Sequence, residues 1–262
     1  MRYEGIYLTS NLNLLDRHED FKNTMKSLLI SLFFYTIFIL FLSMVSAGLV
    51  HNWEFQDDLT DTVGSADFTE HVGIVSYNEG IDGEAVILET GEMIKASKND
   101  IIFGDNFSIS FWLNASTLNG LFMSKYNTSE QESSIRLIGS SSNIQFYTFG
   151  SGGDSWLICN QDVTNHYVHI VLTAERNGKK RIYINGSLCN ENNAGTASVN
   201  TVKDLFFGGT NVLGGSLDRL RIYNSVMTST EILTEFNTYK PLNLFCTDSD
   251  NGINSTVKGT VQ

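Results

Sequence analysis

Asp57, Asp58 and Asp61 stand within one short stretch. Carboxylate oxygens grouped on a loop are ligands suited to Ca2+. A second acidic stretch, Asp248-Ser-Asp-Asn-Gly252, resembles half of a calcium loop and lacks the distal Glu of the helix–loop–helix pattern. Catalytic sets are harder to assemble. Retaining glycoside hydrolysis needs two carboxyl groups about 5 Å apart flanking the scissile bond. Glu84 and Glu89 are too far apart, and Glu130-Gln-Glu132 sits in a polar, turn-like stretch. His166 and His169 have one orphan spacing, with no third ligand and no H-E-x-x-H. His169 reads as a strand residue of a core hairpin. No G-x-S-x-G elbow occurs, and Gly150-Ser-Gly-Gly-Asp154 lacks its context. A non-catalytic chain is expected.

Sugar binding asks for aromatic faces beside polar groups. Phe146-Tyr-Thr-Phe149, followed by Ser151-Gly-Gly-Asp-Ser-Trp156, offers both. Alternate rings in such a run fill a core. Tyr147 and Trp156 are the candidates for ligand contact.

The 262 residues carry 17 Lys+Arg against 29 Asp+Glu, a net charge of −12. That balance argues against nucleic acid, whose affinity comes largely from basic side chains on phosphates. Hydrophobic residues are 42% and charged ones 18%, so most of the chain is expected to fold. Residues 1–47 hold four basic and four acidic residues, so the whole excess belongs to residues 48–262.

The uncharged run Leu28–Leu42 follows Met25-Lys26 and precedes Val45-Ser46-Ala47. This is the layout of a secretory signal over residues 25–47, with residues 1–24 as an extension upstream of the true start. The alternative is an uncleaved membrane anchor over 28–47, long enough to span a bilayer. Lys22 and Lys26 orient both versions alike, with residues 48–262 outside the cell. The expectation is a secreted or cell-surface protein that touches membrane only through this segment. Disulfides persist in that compartment. Cys159, Cys189 and Cys246 would form one pair and leave one over.

From Gly48 to about Ser225 the chain alternates with period two. Phe107-Ser-Ile-Ser-Phe-Trp-Leu113, His169–Thr173 and Arg181–Asn185 read as strands. In Leu217–Tyr223 the alternation places Leu217, Arg219, Arg221 and Tyr223 on one face, and Asp218, Leu220 and Ile222 on the other. Turn pairs such as Asn177-Gly178 and Asn185-Gly186 separate the runs. About a dozen strands with little helix predict an all-β antiparallel sandwich or jelly roll, preceded by the N-terminal hydrophobic helix. One helix follows: Thr228-Ser-Thr-Glu231 has capping-box spacing, and Ile232, Leu233 and Phe236 form its apolar face. Pro241, the single proline, ends it. The expected units are 1–24, 25–47, a sandwich over 48–240 and a tail over 241–262.

These motifs, in this order, resemble the laminin-G-like, concanavalin-A-like jelly roll of prokaryotic, archaeal-type surface proteins. Gly48–Phe55 with Asp57–Asp61 is similar to its opening strand and acidic loop. Asp82–Leu88 is similar to its next strand pair and Phe107–Trp112 to its core strand. Tyr167-Val-His169 with Ile182–Gly186 is similar to its hairpin, and Leu205–Gly209 with Gly215–Tyr223 to its closing strands. Tyr167 stands where the family usually has Trp. Phe245–Thr260 resembles the start of a cysteine-containing repeat, so the chain reads as a fragment of a longer surface protein.

The resemblance implies a structural Ca2+ near the acidic loop, held by Asp57, Asp61 and Asp218 with backbone carbonyls. The alternative is a solvated acidic loop with Asp218 paired to a neighbouring arginine. Cys159 and Cys189 flank the central hairpin and are expected to bond, with Cys246 free or paired beyond this chain. The expected function is a binding or adhesion module whose partner is a glycan or a cell-surface protein. A structural spacer and an accessory domain of a glycoside hydrolase are the alternatives.

Overall fold

The computed structural model describes residues 21–22, 24–31, 47–97, 99–125, 135–140, 143–148, 155–194, 203–209, 213–247 and 254–259. The chain divides into two units, Met1–Ser46 and Ala47–Gln262. In the first, residues 24–31 are helical, and residues 32–46 of the expected signal or anchor lie outside the described residues. No helix among the described residues is long and apolar enough to cross a membrane.

The second unit is a two-sheet antiparallel sandwich. One sheet has eight strands. They are β1 (Leu49–Trp53), β3 (Ser76–Glu79), β4 (Glu84–Leu88), β6 (Asn106–Leu118), β11 (Val168–Glu175), β12 (Lys179–Ile184), β13 (Ser187–Asn193) and β15 (Leu213–Tyr223). Their order is β13-β12-β11-β6-β15-β4-β3, with β1 also on β15. The other sheet has the order β10-β9-β8-β7-β14-β5-β2. Its members are β2 (Thr69–Val72), β5 (Met93–Ala96), β7 (Gly120–Lys125), β8 (Ile135–Ser140), β9 (Asn143–Thr148), β10 (Ser155–Cys159) and β14 (Leu205–Gly208). In the tail, β16 (Leu242–Thr247) pairs with β17 (Asn254–Gly259).

Period-two alternation sends one side of each strand into the space between the sheets. Phe107, Ile109, Phe111 and Leu113 of β6 meet Ile144 and Phe146 of β9 and Phe207 of β14 in one cluster. The two-residue turn Asn185-Gly186 has φ of 50° and 79°. Both residues of this hairpin turn take positive φ, which suits the right-handed strand twist and favours Asn-Gly. The Asn185 side chain also accepts from the His169 backbone N–H at 3.0 Å, tying the turn to β11.

The closing strand corrects the sequence reading. Leu217, Leu220 and Ile222 all face the core. Arg219 takes φ 48°, and the pairing with β6 shifts between Asp218 and Arg221. This bulge adds a residue and exchanges the two faces beyond it.

The helix Ser229–Tyr239 carries the expected capping box: Thr228 accepts from the Glu231 N–H at 3.2 Å, and the Glu231 carboxylate accepts from the Thr228 N–H at 2.7 Å. It lies on the outer face of the eight-stranded sheet, where Ile232 packs with Val171, Tyr183 and Met227. Phe236 stacks on Trp112 with ring centroids 5.8 Å apart. Leu233, expected on the apolar face, is 47% exposed.

Candidate functional site

The helix covers the outer face of the eight-stranded sheet and leaves that of the seven-stranded sheet uncovered by it. On β9 and β10, Phe146, Leu157 and Cys159 turn inward. Tyr147 and Trp156 therefore point outward, and the register sets them opposite one another. Their ring centroids are 4.5 Å apart at an interplanar angle of 33°. Trp156 is 39% exposed and shields Tyr147, and Ile158 beside it is 38% exposed. The structure thus brings the two predicted ligand residues into one aromatic surface. An indole face with an amide neighbour, Gln145, suits a ring that is apolar on its face and hydroxylated at its edge. The connecting residues 149–154 lie outside the described residues.

The acidic set does not assemble. Asp61 Oδ1 accepts from the backbone N–H groups of Asn52, Val63 and Gly64 at 2.9, 3.2 and 2.9 Å. Its Oδ2 accepts from the Ala66 N–H at 3.1 Å and lies 2.6 Å from His51 Nδ1. Burial opposes ionisation, but these donors outweigh it and hold the carboxyl below the usual range. Asp61 is the hub around which the loop folds, and its lone pairs are committed. Asp57, at φ 58°, is exposed.

Asp218 lies beneath the Gly80–Gly83 turn, where its Oδ2 accepts from the Ile81 N–H at 2.8 Å. Its Oδ1 is buried with no partner among the described residues. Burial pushes this carboxyl up to about 6, against the hydrogen bonds from Ile81 and Asp82. Arg219 pairs instead with Asp82, and lies 3.7 Å from Glu54. Among the described residues no three of His, Cys, Asp and Glu come together as a metal site. Of the expected Asp57–Asp61–Asp218 set, Asp61 and Asp218 are each turned to backbone N–H groups. Local sequence held the signal for Asp61, since an Asp two and three residues before free N–H groups makes an Asx turn. The stretches holding Glu130, Glu132 and Asp248–Gly252 lie outside the described residues.

Cys159 and Cys189 form a disulfide, with Cα atoms 5.8 Å apart. It joins β10 to β13, the edge strands of the two sheets. The side chain of Cys246, on β16, lies outside the described residues.

Beneath the helix is a polar group that sequence reasoning missed. The Ser110 hydroxyl donates to Glu235 Oε1 at 2.9 Å, and Ser110 Oγ lies 2.9 Å from His169 Nε2. With the hydroxyl proton given to the carboxylate, Nε2–H must donate to Ser110. Nδ1 then carries the free lone pair, and it has no partner among the described residues. Burial pulls the His169 pKa down to about 4, against the pull of Glu235. Arg221 donates to Glu235 Oε1 at 2.7 Å and to the Asn52 side chain at 3.0 Å. Ser110 and His169 are fully buried. The group seats the helix on the sheet. Its members lie on four different elements, so no motif announces it. Tyr167, in place of the expected Trp, donates its hydroxyl to the Glu79 carbonyl at 3.1 Å.

Among solved structures, the chain is similar to domain 4 of an extracellular GH43 arabinanase from Geobacillus stearothermophilus, solved with arabinotriose. That match has TM-score 0.59 and 20% identity, covering 72% of this chain and 98% of that one. The binding domain of Paraclostridial Mosquitocidal Protein 1 matches at TM-score 0.63 and 20% identity, covering 73% and 52%. The botulinum neurotoxin serotype G binding domain matches at TM-score 0.61 and 19% identity, covering 72% and 50%. The chain spans about half the length of these two toxin domains. At such identities the likeness is one of fold. No curated protein matches. Residues 89–233, more than half of the chain, match the sequence profile of the concanavalin A-like lectin/glucanases superfamily. With the sandwich and its strand order already in place, that match makes the chain a member of this superfamily.

Proposed function

We propose that this chain is a non-catalytic glycan-binding module, exported and displayed at a cell surface, which takes its ligand on the outer face of the seven-stranded sheet. The observation that carries this reading is the Trp156–Tyr147 pair: two large rings in contact, one 39% exposed, on a sheet face that the helix does not cover. Exposed aromatic surface of this kind marks binding sites. An arabinose-chain ligand is the first class to try, because the fourth domain of the arabinanase was solved with arabinotriose. That domain also supports a second reading, an accessory domain of a glycoside hydrolase.

The test is a glycan array probed with the full chain and with Trp156→Ala, each with and without Ca2+. Binding that Trp156→Ala removes supports the reading. Absence of binding in both conditions leaves the spacer reading and sinks this one.

A further inference from the structure

One row of residues crosses all seven strands of the seven-stranded sheet. Register places Trp156 opposite Tyr147, Tyr147 opposite Arg136, and Arg136 opposite Ser124. It continues through Phe206 and Lys95 to Thr69. Residues paired across strands share a face. Phe206 is therefore on the same outer face as Trp156, half-buried, with the exposed His71 ring 5.2 Å away at 55°. The row has an aromatic platform near each end and polar positions between.

We propose that this row is a track for a linear, neutral oligosaccharide several rings long, held at two platforms, Trp156–Tyr147 and Phe206–His71. The proposal rests on the glycan reading above and adds the ligand's length and direction.

Trp156 and Phe206 lie four strand steps apart, about 19 Å at the usual strand spacing. A single sugar ring is comparable in size to one aromatic ring and reaches only one platform. A chain running across the strands reaches both. Ser124, between the platforms, offers a hydroxyl, and Gln145 beside the row an amide. Charge decides against a polyanion. Lys95, in the row, lies 3.7 Å from Asp204. The chain's net charge of −12 repels polyanions. A protein partner would favour one contiguous apolar centre. Here the aromatic surface is split in two.

The experiment titrates the full chain with linear cello-, xylo-, manno- and arabino-oligosaccharides, each graded from mono- to hexasaccharide. One series is expected to bind roughly fivefold or more tightly once it is long enough to reach the second platform. Phe206→Ala should abolish that gain, whereas Trp156→Ala should weaken every length. The length series uses the unmodified chain, so it stands even if a variant folds poorly. Binding that is flat with length, or unaffected by Phe206→Ala in a folded variant, overturns the track and leaves the glycan reading intact. In the same titration, an oligogalacturonide that binds more tightly than the neutral chains of equal length overturns the neutral assignment. No binding by any series, when the array is also blank, overturns both.

Discussion

The side-chain amide of Asn190 donates to the main-chain carbonyl of Ile158 at 2.8 Å, across one open side of the sandwich. Two residues further along, Asn192 donates in the same way to the Trp156 carbonyl at 3.3 Å. Both strands are sheet edges, and edge strands present unpaired backbone acceptors. The period of two on β13 meets the period of two on β10. Side-chain amides thus stand in for the ladder that the gap between the sheets prevents. The Cys159–Cys189 bridge lies beside them, so the backbone under the Trp156 platform is held covalently and by hydrogen bonds.

Removing that bridge should loosen the edge and the platform together. The cysteines are 30 residues apart. Loop-closure entropy for such a span is worth about 3–4 kcal/mol. Cys189→Ser should lower the denaturant midpoint accordingly, with tryptophan fluorescence as the probe. Equal midpoints for the oxidised and reduced protein would refute the prediction.

Asp61→Ala should cost about 3 kcal/mol, because it strands several backbone N–H groups in a buried loop. The folded carboxyl titrates below its ordinary value of 3.8. Its contribution is therefore complete above that value and is lost as pH falls through the folded pKa. Acid unfolding of the variant should begin from a lower plateau and lack this component. If added Ca2+ restores nothing in the variant and changes nothing in the parent, the structural role of Asp61 is sufficient.

His169 and Asp218 should oppose each other in the pH dependence of stability. His169 titrates near 4 when folded and near 6.5 when free, so it makes stability rise with pH across that window, by up to about 3 kcal/mol. Asp218 titrates near 6 when folded and near 3.8 when free, so it makes stability fall with rising pH over much of the same range. The parent curve should be comparatively flat. Asp218→Asn should steepen the rise, and His169→Gln should turn it into a fall. Urea titrations at pH 4, 5, 6 and 7 read both slopes.

Lys125 is fully buried within the sandwich, its ammonium donating to the Lys203 carbonyl at 2.5 Å. Burial lowers its pKa to about 8, against the pull of Asp204. Stability should therefore rise with pH between 8 and 10.5, where the folded chain binds fewer protons. Lys125→Met keeps the volume and removes the charge. It should stabilise the protein at pH 7 by up to about 3 kcal/mol and flatten that rise, as thermal denaturation at the two ends of the window would record.

Much of this architecture was legible in the chain itself. The alternation in Phe107–Leu113 announces a strand with one face in the core, because side chains on a strand can point only two ways. Asn185-Gly186 announces a hairpin, because both residues tolerate positive φ. Thr228 and Glu231 announce the start of a helix, because their spacing lets each satisfy the other's backbone N–H. The outward placement of Tyr147 and Trp156 follows from the same parity. Each of these rests on interactions between residues close in sequence.

Other features depend on where distant strands come to lie. The bulge at Arg219 exchanged the faces of the closing strand, and strict alternation contains no warning of an extra residue. Asp61 shows its carboxylate and its Asx-turn donors in the sequence, but the Asn52 N–H that also converges on it is placed only by the fold. Ser110, His169, Arg221 and Glu235 meet only because β6, β11 and β15 are neighbours and the helix folds back over them. The row from Trp156 to Phe206 needs the order of all seven strands and the register of each pair. From sequence alone came the elements and the inward or outward sense of most side chains, since local backbone geometry dictates both. Tertiary structure alone decided which outward residues became neighbours, since register and strand order are set by burying the whole core at once.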